Sequence, residues 1–232
     1  MKDMMIGVDL AKNVFQVHGA LRTGEVQFRK KLTRPQFLGF MAKQEPSLVV
    51  FEACGSAHYW AREMESCGHD AELIAPQYVR PFVKRQKNDA ADAEAIVIAA
   101  RQPEMRFVEP KTVQQQSRAA IFRGRERLVH QRTADVNALR ALLYEHGHVF
   151  PAGIRHLNRI ATVVEDASSD LPALIREECL DLLAQIAEKT TRITERTKKL
   201  STLATQSDQA RRLQTMPGVG PLTRSLALAH AF

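Results

Sequence analysis

The sequence has few cysteines and no long apolar run, and each absence excludes a class of protein. Its three cysteines (Cys54, Cys67 and Cys179) are an odd number and form no Cys-x-x-Cys pair, which fits packed thiols in a reducing compartment. No apolar stretch approaches the length that spans a bilayer. The N-terminus, MKDMMIGVDL, lacks the apolar stretch and small-residue cleavage site of a signal peptide. We therefore expect a soluble, cytoplasmic protein.

The composition is that of a basic globular protein. Of its 232 residues, 44% are hydrophobic, and 33 Lys and Arg outnumber 26 Asp and Glu, for a net charge of +7. This balance favours a polyanionic partner, and nucleic acid before membrane, because there is no spanning segment. The length permits one sizeable core with an appended element, or two small domains.

Residues 1–110 alternate strand and helix patterns. MMIGVDLA, VFQVHGAL and VQFRKKL read as three strands joined by short turns, and SLVVFEA and AELIAP read as buried parallel strands. Helices are predicted after Thr33, through Ala57–Ser66 and from near Asn88. This alternation predicts an α/β domain with a mixed, partly parallel sheet and flanking helices.

Residues 111–207 are predicted to be helical. Proline is absent from residues 112–146, which read as one long helix, and residues 172–206 read as another. In the second helix, apolar side chains recur every seven residues, as in a coiled coil, although the intervening seam positions are only weakly apolar. These side chains are Cys179, Ile186, Ile193 and Leu200. The simplest arrangement is a loose antiparallel coiled-coil hairpin.

The segment from 208 to 232, which contains LQTMPGVGPLTRSLALAHAF, has the pattern of a helix–hairpin–helix. Gly218 and Gly220 would let backbone amides at a helix N-terminus approach a phosphate closely. A plain glycine turn between two helices explains the same residues, and the sequence leaves both interpretations open.

Four carboxylates stand at positions typical of a metal site. Asp9 lies inside an apolar strand and Glu52 ends another, so both are expected at the carboxyl ends of neighbouring strands, where ligands gather in α/β sheets. Asp89 and Asp92 lie three residues apart in KNDAADAEAI. A solvated, capped helix start explains that pair equally simply. If all four converge, magnesium would relieve their repulsion, with Asp9 as the candidate bridge between two ions.

Four motifs together resemble the DEDD-type insertion-sequence transposases: IGVDLAKNVFQVH, FEACGSAHYWARE, KNDAADAEAI and MPGVGPLT. The resemblance implies a RuvC-like N-terminal domain with the ribonuclease H fold, and it places the family's acidic tetrad on Asp9, Glu52, Asp89 and Asp92, with Mg²⁺ bound. It also implies a coiled-coil region used for dimerisation and nucleic-acid contact. The further implied partners are DNA, both element ends and target, and a structured guide RNA.

One feature departs from that family's pattern. Its members carry a further C-terminal domain with a serine nucleophile, and the sequence stops at Phe232, before such a domain begins. Ser225, in LTRSLAL, does not match the serine motif, so its role is not transferred. We expect the chain to be a fragment or a truncated relative.

The basic residues form two groups. Lys84, Arg85 and Lys87 immediately precede the acidic pair, and the first long helix carries a large excess of arginine over acidic residues. Exposed helices are often charged, but this excess favours phosphate contact. The predicted nucleic-acid-binding residues of that helix are Arg118, Arg123, Arg125 and Arg132, of which 118, 125 and 132 share a face.

Three functions are compatible with these patterns. The first is a metal-dependent DNA recombinase, and the second is a relative that binds nucleic acid without strand chemistry. The third, an actin-like or sugar-kinase-like ATPase, requires a phosphate turn rich in glycine and threonine after the first strand. The sequence has DLAKN there instead, which disfavours the ATPase.

Overall fold

The computed structural model describes residues 3–83 and 89–206, with 212–213, 215–217, 219–220 and 223, and Asp89 and Ala90 by their backbone only. The chain forms two compact units that divide after Thr112. The first contains β1 (Met4–Leu10), β2 (Val14–Leu21), β3 (Val26–Thr33), α1 (Arg34–Met41), β4 (Leu48–Glu52), α2 (Ala57–Ser66), β5 (Asp70–Ile74), α3 (Pro76–Val79), α4 (Asp89–Ala100) and β6 (Phe107–Val108). The second contains α5 (Val113–Glu145), α6 (Leu157–Glu165) and α7 (Ala173–Thr205).

The first unit is built on a six-stranded mixed sheet in the order β3-β2-β1-β4-β5-β6. β1, β2 and β3 are antiparallel neighbours, whereas β4 runs parallel to β1 and β5 runs parallel to β4. The α/β prediction with a mixed sheet and flanking helices is confirmed. The two-residue strand β6, which pairs antiparallel with β5, was not predicted, because two residues are too few to show an alternating pattern.

The two faces of the sheet are covered by different helices. Ile6 and Val8 of β1 belong to a core with buried residues of α1 and α2, including an edge-to-face stack of Phe37 on Trp60. Met5 belongs to a second core with Val50 and the apolar residues of α4. Successive strand residues point to opposite faces, so each strand end presents alternate side chains to α4.

Gly7 allows α4 to lie directly on β1. A Cβ atom at Gly7 would stand 2.5 Å from the carbonyl oxygen of Ala93 and 2.7 Å from Cγ2 of Val97. The Ala93 carbonyl oxygen belongs to the backbone, so it cannot move aside by a change of side-chain rotamer. Only glycine permits this approach, and the approach determines where α4 begins relative to the sheet.

In the second unit α5 and α7 lie side by side and antiparallel. Arg125 of α5 donates to Thr197 Oγ1 of α7 at 3.3 Å, and Arg132 donates to Thr190 Oγ1 at 3.4 Å. The contacts therefore move back along α7 as they move forward along α5, which shows that the two helices run in opposite directions. The bounds of both helices agree with the predicted ranges within one residue. All four predicted seam residues of α7 are buried, none more than 5% exposed. The short helix α6, which adds Ile160 to the same core, was not predicted.

Shortening one seam residue tests how much this packing stabilises the unit. Ile186 is 2% exposed, and Ile186→Ala is expected to lower the free energy of unfolding by about 2–5 kcal/mol, since a buried cavity replaces its side chain. Urea unfolding followed by helical circular dichroism measures this change. Leu180→Ala, on an exposed position of the same helix, is the control and should cost far less. Equal losses would show that the seam is not the stabilising contact.

Several predicted features fall outside the described residues. Lys84, Arg85, Lys87 and Gly218 are not described, nor is most of the predicted helix–hairpin–helix. Gly220 is described as irregular backbone, with open space around its Cβ position. Within the described ranges, no helix combines the length and the apolar character needed to cross a membrane.

Candidate active site

Asp9 and Glu52 lie beside each other at the carboxyl ends of two central strands. The parallel register pairs Val8 with Phe51, and continuing it by one residue brings Asp9 opposite Glu52, on strands about 4.8 Å apart. Gly7 and Val50 lie on the face of the sheet that α4 covers. Alternate residues of a strand point to the same face, so Asp9, two residues after Gly7, and Glu52, two residues after Val50, also point toward α4. Both are half-buried.

Helix α4 brings a third carboxylate to this edge. Burial raises the pKa of Glu52 above its usual range, the nearby Asp92 carboxylate raises it further, and Arg80 partly offsets both effects. Asp92 therefore lies close enough to Glu52 for the two charges to repel. Asp89 is the first residue of α4, one turn earlier, and its side chain is not among those described.

The residue types at this edge suit a hard divalent cation, which prefers carboxylate oxygens. The repulsion between Glu52 and Asp92 is the electrostatic condition that such a cation relieves. Among the described side chains, which exclude that of Asp89, no group of three or more His, Cys, Asp or Glu residues is arranged to hold a metal ion. The residue types therefore suit a divalent cation, although the described side chains by themselves do not form a metal-binding group.

The pKa of Glu52 leads to a pH-dependent prediction. The folded protein holds this proton more tightly than the unfolded chain, so the free energy of unfolding falls as pH rises from about 4.5 through the folded pKa. In buffer free of divalent ions, Glu52→Gln should therefore melt at a higher temperature than wild type at pH 7. The two proteins should converge below about pH 4.5. Thermal melts across this pH range test the assignment, and a pH-independent difference would contradict it.

Two residues that the sequence did not single out extend the site across the sheet. Asp9 pairs with Gln16 on β2, and Gln16 pairs with Lys31 on β3. Directly opposed residues point to the same face, so Gln16 and Lys31 continue the row that Glu52 and Asp9 begin. Lys31 is exposed and places a cation beside the acidic edge. Only the strand register reveals this row, since nothing in the local sequence aligns the three strands.

A polar bridge ties the sheet to α4 one step behind the site. His18 is buried on β2, and Nε of Arg29 donates to its Nδ1 at 3.3 Å. The same guanidinium lies 3.6 Å from a carboxylate oxygen of Glu94 on α4. These contacts join β2, β3 and α4, so they help to hold the helix that carries Asp92 in position.

The arginines predicted to bind nucleic acid are not all exposed on one face. Arg125 and Arg132 reach across to threonines of α7, and Arg118 is half-buried. Their sevenfold spacing is also the period of the helix–helix seam, so the face that they share is the one that packs on α7. Arg123 is exposed and lies off that face.

The sequence matches the family model described as transposase, that of the IS110 DEDD group, over residues 6–148. It is 41% identical over 228 residues to a probable family 20 transposase of Pseudomonas aeruginosa, covering 97% of this chain and 68% of that protein. It is 39% identical over 222 residues to the transposase for insertion sequence element IS1328 of Yersinia enterocolitica, covering 96% and 66%. Thermus thermophilus RuvC superposes with a TM-score of 0.34 at 11% identity, covering 45% of this chain and 99% of RuvC.

The chain spans between 57% and 68% of the length of the curated transposases that it matches. The matched family region contains all four residues of the predicted tetrad, Asp9, Glu52, Asp89 and Asp92. Both the resemblance in its motifs and the similarity along nearly its whole length point to one assignment. The chain belongs to the DEDD transposase family of insertion sequence elements.

Proposed function

We propose that this chain carries a magnesium-dependent acidic site that acts on DNA during transposition of an insertion sequence. The observation that carries the proposal is the convergence of carboxylates from two strands and one helix. Glu52 lies beside Asp9 when the strand register is continued by one residue, and burial, together with the nearby Asp92 carboxylate, raises the pKa of Glu52. Like charges close together at half-buried positions destabilise a fold unless a cation binds between them. Their proximity therefore supports a cation site.

The proposed roles follow from position. Asp9, Glu52, Asp89 and Asp92 would together hold magnesium, with Asp9 as their shared ligand, because it lies in the cross-strand row between Glu52 and Gln16. Magnesium, when bound, would stabilise negative charge on the oxygens of a phosphodiester undergoing displacement. The sheet and α4 orient these carboxylates, and Lys31 lies where it can hold a neighbouring phosphate of the DNA strand.

The proposed organisation has three parts. Residues 1–110 form the acidic domain, residues 111–207 form a coiled-coil region, and residues 208–232 begin a further transposase domain. The helical region would join two or more copies of the chain, and the basic residues would contact element DNA, target DNA and a structured guide RNA. The net charge of +7 supports binding to nucleic acid, and the protein would act in the cytoplasm.

A binding-only relative is the second candidate. It is supported by the net charge of +7, which favours nucleic-acid binding whether or not strand chemistry follows. Such a protein would hold DNA or RNA through its arginines and perform no strand chemistry.

A strand-cleavage assay separates these two functions. Supercoiled DNA bearing element ends is incubated with the chain and the element's RNA, with and without Mg²⁺. We expect nicked or joined products only with Mg²⁺, and a loss of about a thousandfold in rate for Asp9→Ala, which removes the bridging carboxylate. Asp3→Ala, an exposed aspartate in the same unit, is the control and should keep its activity. Nucleic-acid binding without any Mg²⁺-dependent product would favour the binding-only relative.

A further inference from the structure

Four arginines line one groove between α5 and α7. Arg123 and Arg127 come from α5, Arg192 and Arg196 come from α7, and the groove has a volume of about 360 Å³. Leu128, only 4% exposed, and Gly124 complete the lining. Of these arginines, Arg123 alone was among the predicted nucleic-acid-binding residues, because the four come together only when the two helices pack.

The charges in this groove are poorly balanced by the protein. Each helix contributes arginines four residues apart, a spacing at which like charges repel. Among these four arginines, and within the described part of the chain, Arg192 alone has a carboxylate partner, Glu188 at 3.1 Å, and that pair is well exposed. Elsewhere between the same helices Lys189 is matched by Asp135 at 2.9 Å, with both side chains less than 20% exposed. The helices thus pair cations with carboxylates at that point and leave them largely unpaired in the groove.

Gly124 makes room for one of these guanidinium groups. A Cβ atom at Gly124 would stand 2.6 Å from Nη1 of Arg196. Glycine inside a helix is destabilising relative to alanine, so its presence in the middle of the 33-residue helix α5 needs a reason. The close approach of Arg196 supplies one, since a side chain at this position would make the guanidinium shift from where it lies in the groove.

We propose that this groove binds a backbone phosphate of a nucleic-acid strand, an inference that rests on the proposed function and names one of its contacts. Guanidinium groups present paired N–H donors in a planar fork that matches phosphate oxygens. The groove is at the small end of ligand sites, which run from about 300 to 1,000 Å³. It therefore suits a phosphate group of a strand that passes over it, and its contacts would position the strand without reading its sequence.

A glycine substitution tests the site without removing a charge. Gly124→Ala should raise the melting temperature, because alanine favours helix, and should weaken binding of a fluorescein-labelled oligonucleotide by about threefold to tenfold, the loss expected for one phosphate contact. Gly39→Ala, in helix α1 with open space around its Cβ position, is the matched control and should leave binding unchanged. Undiminished binding by a more stable Gly124→Ala protein would overturn the role of the groove.

A charge substitution tests the contact directly. The double variant Arg127→Gln/Arg196→Gln should bind the labelled oligonucleotide about tenfold or more weakly. When binding is measured between 50 and 200 mM salt, the slope of log affinity against log salt concentration should become shallower by about 0.7–0.9 for each lost phosphate contact. Arg155→Gln/Arg159→Gln removes the same charge elsewhere in the second unit and is the control. Equal losses in both variants would mean that net charge alone governs binding.

Comparing different oligonucleotides identifies the kind of nucleic-acid strand that supplies the phosphate. Single-stranded DNA, RNA of the same sequence and their duplexes are compared, and the strand type whose binding depends most on the groove is the one that it contacts. A polyglutamate peptide that competes as well as the oligonucleotides would overturn the proposal, because the groove would then take carboxylates. All measurements are made in EDTA and repeated in Asp9→Ala, so a failed acidic site and a failed groove give different results.

Discussion

Replacing Asp9 with alanine is expected to abolish the rise in melting temperature that magnesium gives to the wild-type protein. A ligand that binds only the folded state at about a hundred times its Kd stabilises that state by about 2.7 kcal/mol. In a unit of about 110 residues, this corresponds to a shift of roughly 10 °C. Asp9 lies between Glu52 and Gln16 in the cross-strand row, so its removal takes away the central carboxylate.

The control for this experiment is Gln16→Ala, which shortens the neighbouring side chain in the same row without removing a charge. It should keep most of the magnesium response, because an amide oxygen is a weaker ligand than a carboxylate. Differential scanning fluorimetry across a magnesium titration, with EDTA as the baseline, measures both variants. A wild-type melting temperature that does not change with magnesium would contradict a metal-binding tetrad, whatever the variants do.

Adding a methyl group at Gly7 is expected to damage both the fold and the site. Gly7→Ala forces its Cβ against the Ala93 carbonyl oxygen at 2.5 Å, so α4 must move away from β1. Overpacking of this kind costs about 1–3 kcal/mol, and because a backbone atom is involved we expect about 3 kcal/mol. Asp89 and Asp92 move with the helix, so the magnesium response should be lost as well.

Gly19→Ala distinguishes these two effects. Gly19 is also in the sheet, on β2, but its Cβ would meet the ring of Phe28 at 2.4 Å rather than α4. Its neighbours Val17 and Phe15 belong to the core beneath α1 and α2, so the strain lies on the opposite face from the acidic edge. We expect a smaller but measurable destabilisation in urea unfolding, because the Phe28 ring can turn aside, with the magnesium response retained. Loss of the response in both variants would mean that general destabilisation explains it.

Much of the fold could be predicted because its signals are local. Helix α2 begins at Ala57 and ends at Ser66, as predicted, and the buried α7 residues keep the sevenfold spacing visible in the sequence. Asp9 and Glu52 could be singled out for a similar reason. Each is a carboxylate in or at the end of an apolar strand, where burial without a partner is costly.

Other features depended on pairing that no local pattern reveals. The row from Asp9 through Gln16 to Lys31 exists only because of the register of three strands. Arg125 and Arg132 were predicted to contact nucleic acid. Their sevenfold spacing is also that of the helix–helix seam, and in the structure both side chains donate to threonines of α7. Gly124 lies in a segment that reads as one continuous helix, and only the packing of α7 brings the Arg196 guanidinium against it.

The longer strands and helices, the basic charge, the family and the four acidic candidates could be read from the sequence alone, because periodicity and motif spacing are properties of neighbouring residues. Which charges lie close together depends on how the separate elements pack. Packing brings Asp92 near Glu52 and gathers four arginines in one groove. Electrostatic interaction depends on distance in space, and residues from separate elements acquire that distance only when the chain folds.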